Sequence, residues 1–202
     1  MVVRKRGSGP LTPRDWARAA LAAIARGWIA AVAVESVAAD LGATKGSFYW
    51  HFKNRDALVR AALDLWEERE TERVIEELEC EPDPTERLRR LLEGSFERST
   101  SDPDRVEVAL LANPGHPVAT AAVRRVADRR ITYIAEQLEK MGWDQGQARD
   151  RAVVLYYIYA GHLQMAHLAP DVIGHDARRR QVHLILGTLI AYASQVPESR
   201  PL

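Results

Sequence analysis

Hydrophobic side chains recur at the three- and four-residue spacing of amphipathic helices along nearly the whole chain, and no long stretch alternates with period two. This pattern predicts an all-α fold. Residues that start or stop helices divide the pattern into about nine segments. Thr12 and Asp15 are expected to form a capping pair at the start of the first helix, and the run S-D-P-D at residues 101–104 is expected to form a turn. The expected helices cover residues 12–26, 34–41, 44–52, 56–80, 85–99, 105–112, 117–141, 145–168 and 176–196.

The segment from Val34 to Asp56 predicts two short helices joined by a tight turn. Gly42 can adopt the left-handed conformation that ends a helix, and the hydroxyl of Thr44 can cap the helix that follows. The result is a helix-turn-helix motif over about residues 34–52. In such a motif the second helix enters the major groove of DNA with its N-terminal residues on base edges, while the first helix crosses the backbone.

The run G-A-T-K-G-S-F-Y-W-H-F-K-N-R-D-A-L at residues 42–58 resembles the signature of TetR-family transcriptional regulators. The resemblance extends back to Thr12 and covers roughly the first third of the chain. It departs at Ala33, where the family usually has a Thr that caps the first helix of the motif, and losing such a cap costs about 1 kcal/mol. The resemblance implies a DNA-binding dimer with a small-molecule pocket among its middle helices.

The expected DNA contacts combine hydroxyl, basic and aromatic side chains around the second helix of the motif. Hydroxyl and basic groups suit phosphate oxygens and base edges, and Phe48 can offer an apolar edge to a thymine methyl group. A basic N-terminal arm can reach the minor groove, or it is a tail without a defined role. The predicted contacts are Thr44, Lys45, Gly46, Ser47, Phe48, Tyr49, Trp50, His51 and Lys53, with Arg4, Lys5 and Arg6 in the arm.

The net charge is zero over 202 residues, but the charge is unevenly distributed. Residues 1–60 contain ten Lys or Arg and four Asp or Glu, a net of +6, so residues 61–202 carry −6. The third of the chain that contains the motif is therefore the basic third. This asymmetry is expected when one domain meets DNA phosphates and the other does not.

Two C-terminal stretches, residues 152–170 and 181–197, contain no Asp, Glu, Lys or Arg. A helix without a charged face is buried on more than one side. The polar side chains of His162, Gln164 and His167 disfavour a membrane span, so the second buried side is expected to be another subunit in a four-helix bundle. The resemblance implies the same dimer. The predicted interface residues are Leu163, His167, His183, Leu186, Gly187 and Ile190.

A pocket for a small, largely apolar effector is expected from the resemblance and from rings at positions with few charges nearby. The candidate lining residues are Trp66, Phe96, Leu110, Tyr133, Tyr156, Tyr159, His162 and Met165. The six histidines form no set with a metal-ligand spacing, and no cofactor or enzyme motif is present in the sequence. No metal, cofactor or catalytic residue is therefore expected.

The sequence predicts three regions: a basic arm at residues 1–11, a DNA-binding domain at residues 12–56, and a helical ligand-binding and dimerisation domain at residues 57–202. The expected function is a homodimeric repressor that leaves a palindromic operator in double-stranded DNA when its ligand binds. Two alternatives are a non-catalytic interaction protein that uses its C-terminal bundle for a protein partner, and a DNA-binding activator or nucleoid-associated protein. A single cysteine and no signal peptide predict a cytoplasmic protein without a membrane segment.

Overall fold

The computed structural model describes residues 10–97, 102–112, 115–173 and 178–190. All regular elements in these ranges are helical, and together they form the predicted motif and a helical domain beyond it. The helices are α1 (Pro13–Gly27), α2 (Val34–Leu41), α3 (Lys45–Tyr49), α4 (Arg55–Glu67), α5 (Arg73–Glu79), α6 (Pro84–Glu97), α7 (Asp102–Leu111), α8 (Pro117–Lys140), α9 (Gln145–Leu168), α10 (Pro170–Ile173) and α11 (Arg178–Ile185).

Helix α1 starts at the predicted capping box. The side chain of Thr12 accepts a hydrogen bond from the backbone N–H of Asp15, and the carboxylate of Asp15 accepts one from the backbone of Thr12. Pro13 occupies the first helical position, where its missing N–H costs nothing. These local interactions explain why the start of α1 could be predicted.

The helix-turn-helix also forms where it was predicted. Helix α2 has the expected bounds, and Gly42 ends it with φ +65°. Thr44 caps α3, and its hydroxyl accepts a hydrogen bond from the N–H of Ser47 at 3.2 Å. Ala33 occupies the cap position of α2 without a side-chain hydrogen bond, as the sequence predicted.

A long helix runs from the motif into the rest of the molecule. It comprises α4, a π-helical segment at Glu68–Glu72, and α5, and it ends before Pro84 starts α6. The π-helical segment was not predicted from the sequence. Such segments carry one extra residue per turn, and they are often found at functional sites.

Three other elements differ from the predictions. Helix α7 begins at Asp102, so part of the predicted turn is helical, because Pro103 is tolerated in the first turn of a helix. The short helix α10 was not expected, and α11 is followed by a second π-helical segment at Leu186–Ile190. Residues 176–177 and 191–196 of the predicted last helix lie outside the described residues.

Buried side chains form two large clusters. The first joins α1 to α4 with α7 and the start of α8 around Trp16, Phe48 and Trp66, and the second joins α6, α8, α9 and α11 around Leu88 and Leu138. The first cluster draws on residues from both sides of position 56, so the domain boundary placed there stays a prediction. Within the described ranges, none of the helices has both the length and the apolar character of a membrane span.

Candidate nucleic-acid interface and effector pocket

One face of α3 and the turn after it is open to solvent. Lys45, Gly46 and Tyr49 are exposed, and Trp50 is 88% exposed directly after the helix. Ser47 is half-buried, and a Cβ atom built on Gly46 would lie 3.6 Å from Oγ1 of Thr44, an ordinary contact. The surface therefore combines a basic group, a hydroxyl, a phenol and an indole, which suit phosphate oxygens and base edges.

The opposite face of α3 is anchored in the core by Phe48, which is fully buried. Its ring lies edge-on to Trp16 and stacked on Phe52, with 5.7 Å between centroids in both pairs. The prediction that Phe48 touches a thymine methyl group is therefore wrong. Because α3 has only five residues, one large side chain suffices to attach it to α1.

The basic group of this face is held by an ion pair inside the motif. Nζ of Lys45 lies 2.6 Å from Oε1 of Glu35, which stands in the first turn of α2. The hydrogen bond from Lys45 lowers the pKa of the Glu35 carboxyl, and the same bond raises the pKa of Lys45. His51 is half-buried beside Trp16, with ring centroids 6.5 Å apart, and Lys53 is exposed.

Acidic neighbours offset several other cations near the motif. Arg14 pairs with Glu68 at 2.9 Å, and Arg26 pairs with Asp40 at 2.8 Å. Glu68 lies beyond residue 60, so its pair with Arg14 offsets one charge of the +6 excess, whereas Asp40 is already counted in that net. Three of the ten cations in residues 1–60, Arg4, Lys5 and Arg6, belong to the predicted arm, which lies outside the described residues.

Arg55 connects α4 to the loop before the motif. Its Nε donates to the carbonyl oxygen of Val32 at 2.7 Å, and its Nη2 donates to that of Ile29. One guanidinium thus satisfies two carbonyls of the connection between α1 and α2. This side chain therefore links the start of α4 to the backbone that leads into the motif.

A cavity of about 80 Å³ lies beside the π-helical segment, between the long helix and α6 to α9. Four of the eight predicted pocket residues line it: Trp66, Tyr133, Tyr156 and Tyr159. Burial raises the pKa of Tyr156 to about 12 and that of Tyr133 to about 12. Both phenols are therefore neutral donors at neutral pH.

The other four predicted pocket residues do not line this cavity. Leu110 is 2% exposed in the first core cluster, and the rings of Phe96 and His162 stack on each other with 4.2 Å between centroids. Met165 is 41% exposed on the outside of α9. Helical spacing was used to predict which side chains face the interior of the molecule. It did not predict which of these side chains reach the cavity.

A buried ion pair forms one wall of the cavity. Nη1 of Arg130 lies 2.9 Å from both carboxylate oxygens of Glu107, and its Nε donates to Oγ1 of Thr71 at 3.0 Å. Its Nη2 donates to the backbone oxygen of Glu70 inside the π-helical segment, at 3.1 Å. The hydroxyl of Tyr159 donates to Glu107 at 2.9 Å. This cluster connects the long helix, α7, α8 and α9.

Sequence reasoning missed Glu107 and Arg130. Arg130 lies among other charges on α8, where a solvent-exposed position is the ordinary expectation. Glu107 carried a weak signal, because it is the one charge in the run V-E-V-A-L-L at residues 106–111. An isolated charge in an apolar run indicates a buried partner, but the sequence does not say which.

Large apolar side chains form an exposed stripe on α9: Val154, Tyr157, Met165 and Leu168, which are 41%, 67%, 41% and 77% exposed. Leu184 on α11 is 64% exposed. Of the predicted interface residues, His183 and Gly187 are exposed, and His167 and Leu186 are half-buried. Leu163 and Ile190 are buried within the subunit at 0% and 2%, so their assignment to the interface is wrong.

The comparisons with known proteins agree with the motif. Residues 17–70 match the model of the family described as bacterial regulatory proteins, tetR family. No curated protein matches the chain in sequence.

Solved structures share the fold at low sequence identity. A transcriptional regulator from Rhodococcus sp. Rha1 is 20% identical, with a TM-score of 0.78 over 93% of this chain and 100% of the other. A protein from Saccharomonospora viridis in complex with choline is 22% identical, with a TM-score of 0.74 over 87% and 95%. SmeT, the repressor of a Stenotrophomonas maltophilia multidrug efflux pump, is 22% identical in its triclosan complex, with a TM-score of 0.72 over 94% and 98%. Residues 17–70 therefore carry the domain of the tetR family of bacterial regulatory proteins, and the chain as a whole shares the fold of these solved structures.

Proposed function

We propose that the chain is a homodimeric repressor that holds a palindromic DNA operator and releases it when a small, largely apolar ligand enters the cavity beside α4. The observation that carries the proposal is the division of α3 into two faces. Phe48 fixes one face to the core, and Lys45, Tyr49 and Trp50 stand exposed on the other side or directly after it. A rigidly held helix with exposed donors is what reading of the major groove requires.

The apolar stripe on α9 supports the dimer. A stripe of four large apolar side chains along one helix is costly to leave in water, and such patches mark interaction sites. A second copy offers the same stripe, so an isologous contact buries both at once. Two motifs then face two half-sites, which in operators of this kind are about 34–36 Å apart.

The cavity supports a small-molecule effector. Aromatic rings supply apolar contact area, and the buried cluster around Arg130 supplies hydrogen-bonding groups that orient a ligand. SmeT and the protein from Saccharomonospora viridis, which share this fold, have been solved with triclosan and choline respectively. The ligand of this chain is accordingly proposed to be a compact ring or branched molecule with one polar group.

The position of the cavity suggests how occupancy reaches DNA. Arg130 contacts the π-helical segment of the long helix and also Glu107 on α7, and α7 packs on α1. A ligand that displaces this cluster therefore favours another placement of the motif relative to the C-terminal helices. A ligand shifts the population only as far as it prefers one state over the other.

The test begins with selection of bound DNA from a random pool. A palindromic site supports the dimer, and fluorescence anisotropy on that site then compares Lys45→Ala and Tyr49→Phe with the native chain. Both variants are expected to weaken binding, whereas Lys140→Ala, which removes the same charge from the exposed end of α8, is the matched control. Full affinity in both motif variants would exclude this face from DNA binding.

Two further measurements address the dimer and the ligand. Tyr157→Arg places a charge in the stripe and is expected to halve the mass measured by light scattering. A native chain that is monomeric at all concentrations overturns the dimer. A thermal-shift screen of small molecules, followed by operator release, tests the effector; compounds that stabilise the chain without releasing DNA contradict the proposed regulation.

A further inference from the structure

A second cavity lies outside the effector pocket, in a crevice between α1, the long helix and α7. Its volume is about 400 Å³, against about 80 Å³ for the pocket. Trp66 and Glu70 line both spaces, so one turn of the long helix separates them. A volume of this size falls in the range of small-molecule sites, roughly 300–1,000 Å³.

The floor of the crevice is apolar. Leu21, Trp66 and Val106 form it and are 9%, 1% and 2% exposed. Ala22 and Ala25 of α1 extend this floor toward solvent. The floor therefore suits an apolar body, which gains roughly 25 cal/mol for each Å² of apolar surface removed from water.

The rim of the crevice is basic. Four arginines line it: Arg18 and Arg26 from α1, Arg69 from the π-helical segment, and Arg105 from α7. One acidic residue, Glu70, also lines the crevice, so the lining contains four cationic side chains and one carboxylate. Arg18 and Arg26 already pair with acidic residues of the first helices. Arg69 and Arg105 are exposed and make no ion pair with any residue in the described ranges.

We infer that this crevice binds a small organic anion, with its apolar body on the floor and its carboxylate or phosphate group between Arg69 and Arg105. Guanidinium groups match the geometry of carboxylate and phosphate oxygens and bind them in a bidentate manner. A neutral or cationic ligand of the same shape leaves both guanidinium groups without a partner. The ligand class therefore follows from the rim, and the ligand size follows from the volume.

The crevice is distinct from the effector pocket. It connects α1 to α7 and the long helix more directly than the pocket does. An occupant touches α1, which carries the motif's anchor Trp16, and at the same time α7 and the long helix. Such a bridge stabilises whichever relative placement of these helices it fits better. Ligand binding in the crevice can be measured without DNA, so its test is independent of the test of the proposed repressor function.

Three ligands with one chain length and different charge test the inference: octanoate, octan-1-ol and octylammonium, titrated calorimetrically into the full chain. Octanoate is expected to bind at least about tenfold more tightly than octan-1-ol, because charge-assisted hydrogen bonds contribute about 1.5–3 kcal/mol. Its affinity should fall with added salt. Arg69→Gln with Arg105→Gln should remove this preference.

The matched control is Arg124→Gln with Arg149→Gln, which removes the same charge from exposed positions of α8 and α9 outside the crevice. Circular dichroism checks that all variants fold. Equal affinities for octanoate and octan-1-ol, or equal losses in the crevice and control variants, would overturn the inference.

Octanoate binding that survives the crevice substitutions but is lost in Tyr156→Trp would assign it to the inner pocket instead. Loss of ligand-free operator affinity in the crevice variant would place these arginines on DNA phosphates, and that result also contradicts the inference.

Discussion

Lys45 and Glu35 form an ion pair with 2.6 Å between Nζ and Oε1, and this pair joins the two helices of the DNA-binding motif on their exposed side. Glu35 therefore already pairs with the basic side chain that was predicted to contact DNA. A phosphate must compete with this carboxylate for Lys45. If this face binds DNA as proposed, the carboxylate also places a negative charge opposite a polyanion.

Replacing Glu35 by Gln is expected to raise operator affinity and to steepen its salt dependence. The released Lys45 can then neutralise one more phosphate, which changes the slope of log K against log salt by about 0.9. Anisotropy titrations across a salt series measure both effects. Asp40→Asn is the control, because it adds the same charge but releases Arg26 instead. Identical effects of the two substitutions would mean that net charge alone matters.

The burial of Phe48 leads to a prediction about stability. Phe48→Ala removes a fully buried ring between Trp16 and Phe52 and should destabilise the chain by about 3–5 kcal/mol. Urea unfolding measures the loss. Tyr49→Ala removes the neighbouring ring, which is 57% exposed, and should change stability far less. Comparable losses in both variants would contradict the two-faced arrangement of α3.

The missing cap of α2 can be restored. Ala33 has φ −92° and ψ 134°, the extended conformation of a capping residue, so a hydroxyl there can accept a backbone hydrogen bond. Ala33→Thr should stabilise the chain by about 1 kcal/mol in thermal or urea unfolding. Ala33→Val has a similar shape without the oxygen and serves as the control. A gain from Val as large as that from Thr would show that shape, not capping, is responsible.

The buried pair of Arg130 and Glu107 should behave asymmetrically. Glu107→Gln leaves a buried guanidinium without its counter-charge and should cost about 3–5 kcal/mol. Replacing both residues by Met removes the unpaired charge and should recover much of this loss. A double-mutant cycle from Glu107→Met, Arg130→Met and the variant with both substitutions, measured by urea unfolding, gives the coupling. Strictly additive losses would argue against a direct interaction.

Tyr133 and Tyr156 should ionise only at high pH. Each has its pKa raised to about 12 from 10, chiefly by burial, so the unfolded chain releases these protons first. Stability contributed by the two phenols is therefore present below pH 10 and lost as the pH rises toward 12. Phenolate absorbance in a pH titration detects the late ionisation. Tyr133→Phe and Tyr156→Phe should each reduce the ionisation seen near pH 12, and an undiminished signal in both variants would contradict the assignment.

Local signals made much of the fold predictable. The cap at Thr12, the left-handed Gly42 and both ends of α9 depend on residues close in sequence, and the structure has them as expected. The π-helical segment at Glu68–Glu72 has no such signal. It is accompanied by a hydrogen bond from Arg130, which lies 60 positions further along the chain.

The candidate site was predictable only in part, for the same reason. Periodicity placed Tyr156 and Met165 on one helix, but only the packing of α8 and α7 decides that the first lines a cavity and the second faces solvent. Likewise, Phe48 and Tyr49 are neighbours in a motif of known type. Their opposite orientations follow from Trp16, which lies more than thirty residues earlier.

The anchored ring of Phe48 also limits how this protein could be redirected to a new operator. Of the five residues in α3, that position must remain a large apolar side chain, because the helix has no other attachment of comparable size to α1. Libraries for altered sequence preference should therefore vary Lys45, Gly46, Ser47 and Tyr49 and leave Phe48 constant. Helix α3 therefore offers four positions for substitution, while Phe48 keeps the helix attached to the core.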